Sequence, residues 1–278
     1  MRFIGDWGRG DDCTSTEDEL CSNSMSAIVR LFTPEGFVVA SDGRMLAAAT
    51  DEIGSDEVQK IFPLRCVGSS SSVIGSIAGI AQLSLDDGTP FDFRTVLSVA
   101  AMAVEQRPVN DLHSYAGLIV SQIDPLIGNF RSISIPGSKD AAGTSIFLDG
   151  LFPMKMPAQE TITITYGLTE VRISHEFSPI QTKRAYCSKK IWALLFDEDV
   201  SIPGWISHYR NVCHGRKMST LADAIDVAVA LITAHSEPEA VAIDPEGCRT
   251  IGGRIQIATL TLTRGFEWVS GFEPKNNH

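Results

Sequence analysis

The chain has 278 residues, 44% apolar and 21% charged, a balance that lets a globular protein bury a core without disulfide staples. Its formal charge of −11 excludes nonspecific binding to nucleic acid or to an anionic membrane surface. The six cysteines form no C-x-x-C pair and no zinc-like spacing. Cys213 and His214 are the one Cys/His neighbour pair, and adjacent residues rarely face one ion, so no metal is expected and the thiols read as reduced and structural.

Residues 1–25 are polar and carry six acidic side chains against two arginines, with neither helical nor strand period. Such a segment cannot bury enough surface to offset its ordering entropy. It reads as a disordered extension, a propeptide, or an upstream stretch foreign to the working protein. Met25 directly before a small residue fits a start at Met25 with the methionine trimmed, which would leave Ser26 first. One domain is expected over residues 26–278. With no apolar run of membrane-spanning length and no signal-peptide core, the expected location is cytoplasmic.

After residue 26 the pattern turns to β. Strands are expected at 27–32 and 37–41, joined by Pro34-Glu35-Gly36, which is hairpin chemistry. Two more are expected at 61–67 and 72–78, with Gly68 and the serine run 69–72 as their turn. Helical stripes follow. Val96, Leu97, Ala100, Ala101 and Val104 mark one over 93–106. Leu112, Tyr115, Ala116, Ile119 and Ile123 mark another over 111–123, which Pro125 ends. Both read as core faces, and His113 has no catalytic task in them.

Strands are expected again at 144–148, 161–166 and 170–174. The basic cluster Lys183, Arg184, Lys189 and Lys190 reads as a solvated face. Thr220 caps a helix whose third residue, Asp223, suits the helix dipole. Its stripe is Leu221, Ala224, Ile225, Ala228, Leu231 and Ile232, with Pro238 past its end. Strands at 254–263 and 266–270 close the chain. Strands, helices, strands, helix, strands is the order of an α+β protein, not of alternating βαβ units.

The signatures of nucleotide, zinc-peptidase and serine-elbow chemistry are missing: G-x-G-x-x-G, the Walker loop, H-E-x-x-H and G-x-S-x-G. No cofactor is expected. What remains is Ser26 ahead of a hairpin that runs into Asp42-Gly43-Arg44. The stretch Gly36-Phe37-Val38-Val39-Ala40-Ser41-Asp42-Gly43-Arg44 resembles the strand ending in Asp-Ser-Arg or Asp-Gly-Arg of proteasome β-subunit-like N-terminal-nucleophile hydrolases. Counting back from Gly36, the nucleophile position of that family falls on Ser26. Counting forward, Glu57-Val58-Gln59-Lys60-Ile61-Phe62 is similar to the segment with its catalytic lysine. Residues Ile74 to Ala81 resemble its glycine-alanine strand-to-helix turn, and Gly252 to Ala258 its closing Gly-Gly strand. The match is clear from Ser26 to about Gln82 and from Thr220 to Val269. Residues 83–219 fit by element order alone.

The resemblance implies a four-layer αββα sandwich, two antiparallel sheets between helices. It also implies amide hydrolysis by Ser26 with its own α-amine as base, since an α-amino group titrates near roughly 7.7–8.0 and a hydroxyl needs such a base. Lys60 would set a positive charge beside the Oγ, Asp42 would hold Lys60, Arg44 would pin the loop and Asp42 from behind, and the Gly79 N–H would face the oxyanion. Self-association, in a ring for this family, and a peptide or amide substrate are implied too; an ATPase partner is left open. The chain departs from the family in three ways. Serine replaces threonine. Met25 replaces the usual glycine, which favours trimming over autocleavage. Cys248-Arg249-Thr250-Ile251 stands where an aspartate and a serine support the nucleophile, with Asp244 or Glu246 as candidate substitutes. Two other functions fit the same residues: a catalytically inert assembly subunit, and a small-molecule amidase with an N-terminal serine.

Overall fold

A computed structural model describes residues 26–46, 52–65, 72–79, 82–85, 87–106, 111–126, 143–152, 157–165, 170–177, 181–198 and 200–275. The segment 1–25 and the serine-run turn at 69–71 lie outside these described residues.

Branched and aromatic residues on either side of Pro34-Glu35 form the first hairpin, β1 (Ile28–Thr33) and β2 (Gly36–Ser41), with Thr33 opposite Gly36 and Ile28 opposite Ser41. The Thr33 hydroxyl closes the turn by donating to the Gly36 carbonyl at 3.1 Å and accepting from the Glu35 N–H at 3.1 Å. Gly36 has φ +143°, and a Cβ there would lie 2.1 Å from the Leu260 carbonyl oxygen, so only glycine fits.

Short β3 (Met45–Leu46) and β4 (Ile53–Ser55) pair with each other. Then come β5 (Ile61–Arg65) and β6 (Ser72–Gly79), also antiparallel. A second small hairpin, β7 (Gln82–Ser84) and β8 (Pro90–Asp92), precedes α1 (Phe93–Gln106). Asp111 caps α2 (Leu112–Ile123) by accepting the Ser114 N–H, and a 3-10 turn at Asp124–Leu126 ends it at Pro125. The middle of the chain supplies β9 (Gly143–Leu151), β10 (Ala158–Thr165), β11 (Glu170–Phe177) and β12 (Lys183–Tyr186). Helices α3 (Lys189–Phe196), α4 (Ser207–Gly215), α5 (Leu221–Ser236), α6 (Pro238–Ile243) and α7 (Pro245–Cys248) follow. Strands β13 (Gln256–Thr261) and β14 (Gly265–Trp268) close the chain.

The result is a mixed α/β chain of antiparallel sheets and helices. One five-stranded sheet has the order β12-β1-β2-β13-β14, the other β11-β10-β9-β6-β5. Strand alternation divides the side chains between two faces. Val29, Leu31, Val38 and Ala40 of the first sheet share a core with Ala224, Ala228 and Leu231 of α5. Val73, Ile77 and Leu148 of the second share one with Leu97 of α1 and with Tyr115 and Ile119 of α2. A third cluster joins the sheets to each other: Phe32, Phe37, Val39 and Leu260 from one, Ile61, Ile74 and Leu151 from the other.

Helix α1 spans the expected 93–106 and starts where the Asp92 carboxylate accepts the Arg94 N–H at 2.8 Å. The resemblance implied a strand-to-helix turn at 74–81, but the β7–β8 hairpin comes between β6 and that helix. Pro238 lies past the end of α5, as expected, and opens α6, because proline at the first helical position loses no hydrogen bond. The basic cluster is not simply a solvated face. Lys183 donates to the Cys213 carbonyl at 2.8 Å and covers the Phe196 ring, and Lys190 pairs with Asp244 at 3.0 Å.

Phe37 is fully buried between the sheets, with its ring centroid 4.6 Å from that of Phe32. Phe37→Ala should lower the unfolding free energy by about 3–5 kcal/mol, read from urea midpoints at an unchanged m-value.

Candidate functional site

The first hairpin brings the two ends of its strands together. Ser26 lies two residues before β1 and Asp42 directly after β2, so the pairing of Ile28 with Ser41 sets them side by side. Backbone bonds fix this: the Asp42 N–H donates to the Ala27 carbonyl at 3.2 Å, and the Ala27 N–H donates to Asp42 Oδ1 at 2.8 Å. Lys60 comes from the other sheet, one residue before β5. Its Nζ lies 2.8 Å from Asp42 Oδ1 and 3.0 Å from Ser26 Oγ. All three are buried, with Ser26 2%, Asp42 0% and Lys60 7% exposed.

Asp42 Oδ2 accepts two further N–H groups, from Arg44 at 3.1 Å and Gly252 at 3.2 Å. The carboxylate thus meets four donors and leaves none of its capacity idle, which is what a fully buried anion needs. Lys60 is held from its backbone too. Its carbonyl accepts the Ile77 N–H at 3.0 Å, and its N–H meets Gln256 Oε1 at 3.4 Å. Gln256 Nε2 in turn donates to the Val58 carbonyl at 2.8 Å.

Lys60 thus bridges Ser26 and Asp42. Arg44 is placed differently: its backbone, not its guanidinium, touches Asp42. The side chain pairs with Asp56 at 2.8 Å and reaches the carbonyl of Ile251 at 3.4 Å. Arg44 therefore clamps the 249–252 turn that delivers the Gly252 N–H. Glycines make the clamp tight. A Cβ on Gly43 would lie 2.6 Å from the Asp56 carbonyl oxygen, and one on Gly253, at φ +72°, 2.4 Å from the same atom. Gly79 ends β6 at φ +87°, where a Cβ would sit 2.2 Å from the Gly143 carbonyl oxygen. Strand pairing with β9 thus already requires glycine there.

Asp244 lies in a second buried network. It accepts the Ser188 hydroxyl at 2.6 Å and Lys190 Nζ at 3.0 Å. Burial pushes its carboxyl upward, but the hydrogen bonds from Ser188 and Lys190 outweigh this and hold it below the ordinary range. Burial pushes the neighbouring Cys248 thiol up to about 11. The His235 ring sits between the carbonyls of Leu231 at 2.7 Å and Ser188 at 3.3 Å. This network ties the start of α3 to α6 and α7, the segment leading into Gly252. Glu246 is exposed on α7, and His113 stacks on His175 with centroids 6.4 Å apart. Among the described residues, no three His, Cys, Asp or Glu side chains gather to hold a metal. No described helix is long and apolar enough to cross a membrane.

No family model and no curated protein matches the chain. Solved structures similar to it include Anbu proteins. A helical assembly of the Anbu complex from Pseudomonas aeruginosa has 13% identity and a TM-score of 0.47 over 90% of this chain and 84% of that one. Anbu (ancestral beta-subunit) from Yersinia bercovieri has 11% identity and a TM-score of 0.48 over 89% and 88%. An Anbu (Gly-1) mutant from Hyphomicrobium sp. strain MC1 has 12% identity and a TM-score of 0.48 over 89% and 88%. Likenesses this distant assign no activity.

They do correct the family expectation. Anbu is a proteasome-related family distinct from the proteasome β-subunits, and the chain's assignment to the β-subunit-like N-terminal-nucleophile hydrolases does not stand. The reason is visible in the geometry. Gly43 and Gly253 are demanded by close backbone approach at one turn, so these glycines report the turn's geometry and not a family.

Asp42→Asn removes the anion that Lys60 faces in a buried site, and an uncompensated buried charge costs about 3–5 kcal/mol. That loss should appear in chemical denaturation of the full chain. Burial also lowers the affinity of the His235 ring for a proton. Below about pH 6.5 the unfolded chain takes up a proton that the folded chain refuses. Stability is therefore full above that pH and falls as pH drops. In His235→Gln this limb of the melting-temperature profile should flatten.

Proposed function

We propose that the protein hydrolyses amide bonds through Ser26 once Ser26 stands first in the chain, with its own α-amine as general base. The observation that carries this reading is the buried Lys60 Nζ, 3.0 Å from Ser26 Oγ and 2.8 Å from Asp42 Oδ1. The free α-amine would take the Oγ proton as the oxygen attacks the substrate carbonyl. Lys60 would stabilise the negative charge growing on Oγ. The Gly79 N–H is the proposed donor to the carbonyl oxygen as it becomes an oxyanion. Collapse of that intermediate breaks the C–N bond, and the leaving amine takes the proton from the α-ammonium. An ester to Ser26 remains. Water, deprotonated by the same amine, attacks it to release the acid and restore Oγ–H.

We further read residues 26–278 as one functional domain, with the two sheets stacked between helices in αββα order. Helix-facing and sheet-facing clusters on each sheet support this order. Peptides are the substrate class we propose, with small acyl amides as the competing outcome. Self-association is part of the proposal.

A second reading has its own support. Ser26 is only 2% exposed in the full chain, so a chain that is never processed would be an assembly subunit without catalysis.

The test has two arms. Mass spectrometry of the protein from its native cell reads the N-terminus, and a start at Ser26 is the expected result. Protein begun at Met25 and trimmed should then cleave a panel of peptide or acyl-amide substrates. Ser26→Ala should abolish turnover, and Lys60→Met should lower it by about 10²–10³-fold. Turnover that persists in Ser26→Ala would exclude Ser26 as the nucleophile.

A further inference from the structure

The site is built across two sheets: Ser26 and Asp42 adjoin strands of the first, Lys60 and Gly79 strands of the second. Its geometry therefore depends on how far one sheet has slid along the other. Apolar contact gives no directional control over that slide. The side chains that join the sheets elsewhere are apolar at Phe32, Phe37, Val39, Ile74, Leu151 and Leu260.

Away from the site, a directional group among the described residues also joins the sheets. Arg30 on β1 donates from Nε to both oxygens of Asp149 on β9, at 3.1 and 3.0 Å. Its Nη2 lies 3.0 Å from Asp149 Oδ1 but off the hydrogen-bonding direction, so that contact is an ion pair alone. Gln159, paired directly opposite Asp149 on β10, donates to Oδ1 at 2.6 Å. The guanidinium also lies 4.9 Å over the Phe147 ring. Arg30 is 5%, Gln159 2% and Asp149 0% exposed.

We infer that Arg30, Asp149 and Gln159 form a positioning cluster that sets the slide of the first sheet on the second, and so the distance from Ser26 Oγ to Lys60 Nζ. Arg30 lies on β1, which begins two residues after Ser26, so a displacement of β1 carries Ser26 with it. Asp149 lies on β9, whose other neighbour, β6, carries Gly79, and Ile77 of β6 holds the Lys60 carbonyl. Each side of the ion pair is thus coupled by backbone to one side of the site. A purely stabilising role fits the cluster poorly. Apolar replacements of similar volume commonly match or exceed a buried ion pair in stability, and this one leaves Arg30 Nη2 and Gln159 Oε1 without hydrogen-bond partners. What it supplies that apolar contacts do not is a fixed direction.

The inference adds residues to the site proposed above, so its test reads geometry as well as chemistry. The variants are Arg30→Met/Asp149→Leu, which removes both charges together, and Arg30→Lys, which keeps the charge but loses the planar fork. Crystal structures of the full chain give the Ser26 Oγ to Lys60 Nζ separation. It should open beyond 3.5 Å in the double variant while the melting temperature is held or raised. In protein with Ser26 liberated, the second-order rate of labelling by a serine-directed fluorophosphonate should fall about tenfold in the double variant and less in Arg30→Lys. Its pH dependence should also shift, which a loss of stability alone would not produce. A separation that stays at 3.0 Å with unaltered labelling in every folded variant overturns the inference. If wild-type Ser26 is not labelled at all yet the separation opens in the variants, the positioning role holds and the hydrolase proposal fails.

Discussion

The Asp42 carboxylate is the constraint on which the rest of the site depends. It is fully buried, and an anion in that position is tolerable only when its acceptor sites are filled. The donors come from four places in the chain: the Ala27 N–H before β1, the Arg44 N–H after β2, the Gly252 N–H ahead of β13, and Lys60 Nζ at the edge of the second sheet. No local segment could supply all four. The fold has to bring residues 27, 60 and 252 to one point, and the hairpin, the Gly-Gly turn and the start of β5 are the means by which it does so.

That dependence explains the glycines around the site. The turn at 252–253 must come within hydrogen-bond reach of Asp42 while its backbone also meets residue 56. Arg254 N–H donates to the Asp56 carbonyl at 2.7 Å, Gly43 N–H to the Gly252 carbonyl at 3.0 Å, and Val58 N–H to the Gly43 carbonyl at 2.9 Å. Three strand ends are thus laced together by backbone, with Arg44 and Asp56 bonded beside them. Side chains on Gly43 or Gly253 would hold these backbones apart. The Ser188–Asp244–Lys190 network continues the restraint outward, anchoring α6 and α7 against α3.

Much of this was legible in the sequence because it is local. The first hairpin follows from branched residues around Pro34-Glu35-Gly36. The α2 boundary follows from Asp111 and Pro125, and that of α5 from Thr220 with Asp223. The family resemblance, counted from Gly36, also singled out Ser26, Asp42 and Lys60. Less visible was whatever depends on distant partners. Arg44 looked like a partner for Asp42, but sequence proximity hides Asp56, twelve residues on and pointing back. Asp244 looked like a candidate support for the nucleophile, yet a serine and a lysine 56 and 54 residues earlier hold it. Short α3, α6 and α7 carry too few turns for a period. Family identity was the least legible, since the motifs report a turn geometry that more than one lineage can need.

Among the described residues, two buried ion pairs cross between the sheets with opposite polarity. At the site the cation belongs to the second sheet and the anion to the first; at Arg30–Asp149 the order is reversed. One pair alone would leave the sheets free to pivot about it. A second contact with its own direction, displaced along β1 and β9, removes that freedom, because rotation about either pair would break the other. A core of phenylalanine, isoleucine and leucine fixes the separation of the sheets, through close packing, far better than it fixes their relative slide. The polar residues between the sheets are therefore best understood as alignment, and the apolar ones as adhesion. A hydroxyl that must lie 3.0 Å from an ammonium on the opposite sheet needs both.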